Sequence, residues 1–259
     1  MELSLYHDHA RLEQSHWWFV ARRAIIGEVL TRHLPDAPDR RILDAGCGTG
    51  GMLPMLSRLG HVEGLEAEPS AVAHCREAFA DFEVRQGGIP VDVPSGGVFD
   101  VVTAFDVIEH IADDIGALEA FGAALRPNGV VVVTVPALPW LWSDHDRVNG
   151  HERRYTRQTL SCAFTRSGFN VRHMSYFNTF LLPSVAAARC VQRLRKTRAQ
   201  PRSDFTMPSP AINQALTRTM AAEAQLVAGR GLPVGVSLIA VAEPTGGGAV
   251  TPATGSSPP

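Results

Sequence analysis

Between Arg41 and Pro136 the chain switches repeatedly between short apolar runs and stretches of helical spacing. "RILDAG", "HVEGLEAE", "FEVRQG", "FDVVTAF" and "VVVVTVP" read as strands. "MLPMLSRL", "PSAVAHCREAFA" and "DDIGALEAFGAAL" lie between them and read as helices. Strands that alternate with helices pair in parallel, because each helix carries the chain back across the sheet. The run Val130–Val133 shows no polar alternation, as a strand covered on both faces requires. The predicted class is therefore α/β, with helices on both sides of a mostly parallel sheet.

The flanks add elements of their own. Residues 17–34 place Ala21, Ile25, Ile26, Val29, Leu30 and Leu34 at helical spacing and stop at Pro35. "TRQTLSCAFTRSGF" predicts a helix, "NVRHMSYFN" a strand and "VSLIAVAEP" a final strand. The expected organisation is a helical N-terminal cap (1–40) and an α/β core (41–178) containing a long loop (137–156). A helical insertion (179–230), the last strand (231–244) and a low-complexity, disordered tail (245–259) follow. Two helices are expected in the insertion, around the polar linker "RKTRAQPRSDFTMPSP".

Composition narrows the classes. With 45% hydrophobic residues among 259, the chain can bury a large core. A net charge of −2 gives no field for DNA or RNA, so no nucleic-acid partner is expected. Cys47, Cys75, Cys162 and Cys190 are scattered without C-x-x-C spacing, which predicts neither a structural zinc site nor a disulfide framework and fits a reducing cytoplasm. The N-terminus has no basic-then-apolar leader pattern, and no apolar run reaches the ~20 residues that span a bilayer.

The segment "RILDAGCGTGG" puts Gly46, Gly48, Gly50 and Gly51 directly after the first strand. In open α/β sheets ligands lie at the carboxyl ends of strands, and glycine lets a ligand rest against backbone N–H groups. Gly46-x-Gly48-x-x-Gly51 fits a dinucleotide fingerprint. Asp44-x-Gly46-x-Gly48-x-Gly50 fits the glycine motif of S-adenosylmethionine (SAM) enzymes. Asp44 favours the second, since a carboxylate there repels a pyrophosphate and suits an ammonium and a sulfonium. Glu66, at the end of the second strand, is the candidate for the ribose hydroxyls, with Glu68 as competitor.

"LDAGCGTG", "VEGLEAEPSAV", "GVFDVVTAFDVIEHIADD" and "LRPNGVVVVTVP", in this order, resemble a class I SAM-dependent methyltransferase. "HWWFVARR", "HDRVNGHERRYT" and "LPVGVSLIAVAEP" resemble a bacterial small-molecule subgroup, distantly similar to ubiquinone-pathway O-methyltransferases. The resemblance implies a Rossmann-like seven-stranded sheet with an antiparallel last strand, SAM as cofactor and S-adenosylhomocysteine as product. It assigns Asp44, Gly46, Cys47, Gly48, Gly50, Glu66, Ala67, Phe105 and Asp106 to the SAM pocket. It also implies Arg22 as partner of the methionine carboxylate and Trp18 as a wall, the alternative being that this helix's aromatics are core. The aspartate that many relatives carry after the third strand is missing. Gly87, Gly88 and Ile89 stand there, and backbone N–H groups are expected to take over its role.

A hydroxyl nucleophile needs alignment and a base. His110, His145 and His151 are the candidates. His110 either faces the methyl group or packs beside the next helix. In the loop after the fifth strand, Asp146, Arg154 and Tyr155 are candidates for substrate contact, and Arg153 or Arg154 for an anionic group. His151 and Arg154 alternatively brace the loop. His145, Asp146 and His151 match no metal spacing, so no metal is expected. The insertion carries Leu181, Leu182, Val185, Ala186 and Leu194 beside Arg189, Arg193 and Arg195, which predicts either a membrane or homodimer contact or a helical lid. The predicted acceptor is a small molecule, most often methylated at oxygen. The competing readings are a nicotinamide-dependent oxidoreductase and a SAM-binding protein without catalysis.

Overall fold

The computed structural model describes residues 10–195 and 206–246, with side chains of the first segment described to residue 192. The first nine residues, most of the predicted linker, the tail from 247 and the side chains of Arg193, Leu194 and Arg195 lie outside the described residues.

Seven strands form one sheet: β1 (Arg41–Ala45), β2 (His61–Glu66), β3 (Glu83–Gln86), β4 (Phe99–Phe105), β5 (Leu125–Pro136), β6 (Phe169–Phe177) and β7 (Ser237–Pro244). Their order is β3-β2-β1-β4-β5-β7-β6. β1 through β5 pair in parallel, and β7 inserts antiparallel between β5 and β6. The strand order reverses direction between β1 and β4, which makes their carboxyl ends the switch point where a ligand crevice forms.

The helices are α1 (Trp17–His33), α2 (Leu53–Leu56), α3 (Pro69–Ala78), α4 (Asp114–Ala124), α5 (Asp144–Asn149), α6 (Arg157–Arg166), α7 (Leu182–Arg195), α8 (Pro210–Ala221) and α9 (Ala224–Ala228). Asp113 caps α4, its carboxylate accepting from Gly116 N–H at 2.9 Å. α1 stops at His33, and Leu34 N–H closes on the Leu30 carbonyl ahead of Pro35.

Alternate residues of the central strands feed two cores. Val101, Val130, Val132, Ile239 and Val241 pack on one face with Ile25, Ile26 and Leu30 of α1. Val102, Val131, Val133, Leu238 and Ala240 pack on the other with Phe121 of α4 and Phe164 of α6. Two covered faces explain the unbroken valine run of β5.

Two predicted segments differ in detail. The insertion holds three described helices rather than two, because the second predicted helix breaks after Ala221 and resumes at Ala224. The loop after β5 is not irregular throughout. It contains α5, started by a capping box in which Ser143 and Asp146 bond reciprocally, and stopped by Gly150 at φ +72°.

Candidate active site

The turn after β1 is built as its glycines suggest. Gly46, Gly48 and Gly50 have φ of +74°, +57° and +85°. A Cβ on Gly46 would meet Val107 Cγ2 at 2.7 Å, because the turns after β1 and β4 touch. A Cβ on Gly48 would project into open space. Gly50 turns away, since its Cβ would strike Phe79 and Cys75 of the α3 region. Gly46, Cys47 and Gly48 therefore line the cavity, and Gly50 serves packing.

The cavity beside this turn measures about 680 Å³, within the ~300–1,000 Å³ usual for ligand sites. Asp44 and Glu66 both face it and are nearly buried. Asp44 accepts a hydrogen bond from Thr103 Oγ1 at 2.7 Å. Burial raises its carboxyl from 3.8 to about 6, against the pull of that bond and of Arg22. Glu66 accepts from Gly48 N–H and from Glu68 N–H, each at 2.9 Å, so its carboxylate is fixed at the cavity edge. The competitor, Glu68, caps α3 by accepting from Ser70 N–H at 3.3 Å. Ala67, Gly87, Gly88 and Ile89 continue the wall. The Gly88 N–H does not point free into the cavity. It donates to Asp92 Oδ2 at 2.8 Å, which corrects the expectation that it replaces a missing side chain.

The N-terminal cap supplies the adjacent wall. Trp18 faces the cavity and stacks on Phe177, with ring centroids 6.1 Å apart. Arg22 faces it too, over the ring of Phe105, but its guanidinium is paired with Asp106 at 2.7 Å and donates to Thr134 Oγ1 at 3.1 Å. Thr134 in turn donates to Asp106 Oδ1 at 3.1 Å. Asp106 itself takes φ +58°, a left-handed conformation.

His110, His145 and His151 come together in the wall of the same cavity. The rings of His110 and His151 stand edge to face at 4.7 Å, and those of His145 and His151 at 6.2 Å. His110 Nδ1 lies 3.3 Å from the Gly150 carbonyl, and burial beside His151 lowers its pKa to about 4. His151 Nδ1 lies 3.0 Å from Asp146 Oδ1.

Of the three loop candidates, Asp146 and Tyr155 lie away from the cavity and Arg154 borders it. Asp146 has no exposed surface and does not line the cavity. Burial raises its carboxyl, but bonds from His151 and Arg154 outweigh this and hold it well below the ordinary carboxylate range. Arg154 borders the cavity, yet its guanidinium is spent on Asp146, at 2.7 and 3.1 Å, and on the Ala137 carbonyl at 3.0 Å. Tyr155 is 2% exposed, and its hydroxyl donates to Asp114 at 2.7 Å. Arg153 likewise donates to the carbonyls of Ile111 and Ala112. Arg153 and Tyr155 brace the loop against the β4–α4 connection, and Arg154 braces it through Asp146 and the Ala137 carbonyl, the alternative read for His151 and Arg154 from the sequence.

Other groups at the cavity escaped the sequence reading. Glu109, on a 3-10 turn (Ile108–His110), is fully buried and faces it. Burial, and then the charge of Asp106, pushes its carboxyl well above the ordinary range. Its place in "DVIEH", three residues beyond Asp106, was the available signal. Glu13 reaches the glycine turn from the N-terminal side, its carboxylate set against Gly51, and no local pattern announces it. Val185, Ala188, Arg189 and Gln192 of α7 line the same cavity, so the insertion's first helix lies over the site.

The signature of a methyltransferase-domain family matches residues 18–174. A ubiquinone biosynthesis O-methyltransferase of Azorhizobium caulinodans is 34% identical over 125 residues, 44% of this chain and 49% of that protein. A SAM-dependent methyltransferase structure from Mesorhizobium loti superposes with a TM-score of 0.55 at 18% identity, covering 85% of this chain and 97% of the other. The [4+2]-cyclase SpnF superposes with a TM-score of 0.57 at 17% identity, covering 87% and 81%. The chain spans about half or less of the length of the curated relatives it matches.

Proposed function

This chain belongs to the class I SAM-dependent methyltransferase family, and we propose that it transfers a methyl group to a hydroxyl oxygen of a small acceptor with an apolar body. One observation carries the reading. A single cavity is lined both by the glycine turn with Asp44 and Glu66 and by the imidazoles of His110, His145 and His151. A fold shared with a cyclase does not assign chemistry by itself, so the residues of the cavity bear the weight.

The residues fit SAM. Open space beside Gly48 admits a ligand against the backbone. Glu66 keeps free lone pairs toward the cavity for ribose hydroxyls, and the Asp44 carboxylate favours a cationic neighbour. Gly87, Gly88 and Ile89 provide a flat wall for the adenine. Arg22, paired to Asp106 through one nitrogen, holds that carboxylate in place, and its unpartnered Nε leaves a donor for the methionine carboxylate that the family resemblance implies. When bound, SAM supplies a methyl group on a sulfonium, whose carbon–sulfur electron pair stays on sulfur as the acceptor oxygen takes the carbon. Trp17, Trp18 and α7 enclose the acceptor's carbon body and exclude water. The imidazole cluster receives its hydroxyl, where proton removal raises nucleophilicity.

The position of Val185 and Ala188 over the cavity supports α7 as a lid. Phe180, Val191 and Ile212 of the same insertion are exposed and are the residues through which it would meet a membrane or a second copy. Among the described residues no helix is long and apolar enough to cross a membrane.

Calorimetric titration with SAM, S-adenosylhomocysteine and NAD, on wild type and Gly48→Arg, tests the cofactor. Methyl transfer from labelled SAM to a panel of phenols, sugars and lipid precursors then tests the acceptor class. Binding of NAD without SAM sinks the reading. So does transfer confined to amines or thiols, for the oxygen acceptor.

A further inference from the structure

Glu109 is the most unusual group in the cavity wall. It is fully buried, and among the described residues neither carboxylate oxygen finds a donor. A buried carboxylate without a donor is disfavoured, and an ion is one of the partners that account for such a group in a native protein.

The neighbours of Glu109 indicate which ligand. One donor atom each from Glu109, His110 and His151 lies within 4.8 Å of the other two. Donors around a first-row dication stand about 3–3.5 Å apart, so rotamer adjustments of about an ångström would close the set. Both rings are also oriented through Nδ1. The Gly150 carbonyl can only accept, so His110 Nδ1 must donate to it. The Asp146 carboxylate likewise accepts from His151 Nδ1. In the neutral rings Nε2 then carries a lone pair. A ligating histidine whose second nitrogen is held by a carbonyl or carboxylate is the usual outer support of a metal centre.

We propose that Glu109, His110 and His151 form a binding site for a divalent transition-metal ion, with its open coordination positions facing the cavity. Two imidazoles and one carboxylate suit Zn²⁺, Mn²⁺ or Fe²⁺ and leave positions for oxygen donors. The ion would neutralise Glu109 and take the acceptor hydroxyl as a ligand, acidifying it. That role rests on the reading of this cluster as the acceptor site; ion binding itself does not. The sequence offered no metal spacing because the ligands come from two segments, the turn after β4 and the loop after α5.

The test uses the full chain after chelation, titrated with Co²⁺ and followed by visible ligand-field absorption, and with Zn²⁺ by calorimetry. Glu109→Gln keeps the side chain's shape, and His151→Ala serves as a second variant. SAM titration and circular dichroism on the same samples report the cofactor site and the fold. One equivalent of Co²⁺ with visible bands in wild type, weakened at least about tenfold in Glu109→Gln with SAM affinity retained, is expected. Wild-type uptake no greater than that of the two variants overturns the metal site, and SAM binding in that sample leaves the methyltransferase reading standing. Ion uptake without SAM binding supports the metal site and sinks the methyltransferase reading.

Discussion

Asp146 Oδ1 accepts from His151 Nδ1 at 3.0 Å while the same carboxylate holds Arg154 through two nitrogens. One fully buried acid thereby fixes an imidazole at the cavity and a guanidinium behind it. Asp146→Ala leaves Arg154, with a side chain only 5% exposed, without its partner. We expect a loss of about 3–5 kcal/mol of folding stability, measured by urea denaturation. A loss under about 1 kcal/mol would mean that the network is not closed in solution.

Gly48→Arg tests the turn. At φ +57°, with no atom within 4 Å of the added Cβ, the new side chain enters the cavity itself. The left-handed backbone adds a strain of about 1–2 kcal/mol. SAM affinity should fall at least about a hundredfold, which is ~2.7 kcal/mol, with melting only modestly lowered. Calorimetry and thermal denaturation separate the two effects.

Asp44 links the site to pH. Its folded-state pKa of about 6 lies above the ordinary 3.8, so the folded chain binds this proton more tightly than the unfolded chain. The stability it contributes is full below about 4 and is lost as pH rises through about 6. A cationic ligand favours the ionised form. SAM affinity should therefore fall as pH drops from 7 to 5, by up to about tenfold per unit below the pKa. Asp44→Asn should bind more weakly, with a flat profile. A wild-type profile equally flat in calorimetry at several pH values would remove Asp44 from the cofactor's surroundings.

Tyr155→Phe separates bracing from substrate contact. It removes the bond to Asp114 but leaves Arg153 paired with that acid at 3.2 Å. A stability loss of about 1–2 kcal/mol is expected, with SAM affinity and acceptor KM unchanged. A raised KM at unchanged stability would return Tyr155 to the substrate site.

The fold was legible because its signal is periodic. β5 shows its two-sided burial in four consecutive valines, and α1 shows its face in Ile25, Ile26, Val29 and Leu30. The glycine turn was legible because only backbone geometry satisfies it, and Gly46 meets Val107 as a switch-point turn must. The loop was less legible. Arg154, Asp146 and Tyr155 are polar types that serve equally for binding and for bracing, and only their partners decide. Ser143 and Asp146 did carry a capping-box signal that would have revealed α5. Glu109 stayed hidden although it stands three residues beyond Asp106, because its meaning lies in the donors it lacks, a property of packing.

One wall of the cavity, at Trp17, is held from the opposite end of the described chain. Trp17 N–H donates to Asn213 Oδ1 at 2.8 Å, and Asn213 Nδ2 donates to the Ser15 carbonyl at 2.8 Å, 198 residues away. During synthesis that wall emerges long before its partner. A nascent chain therefore carries the glycine turn, Asp44 and Glu66 well before Asn213 arrives to hold Trp17 in the wall beside them. High affinity for a small ligand becomes a late property of the chain, acquired after most of the sheet has been made. Ligand added to stalled chains of increasing length would read the moment of closure as a step in affinity near residue 213.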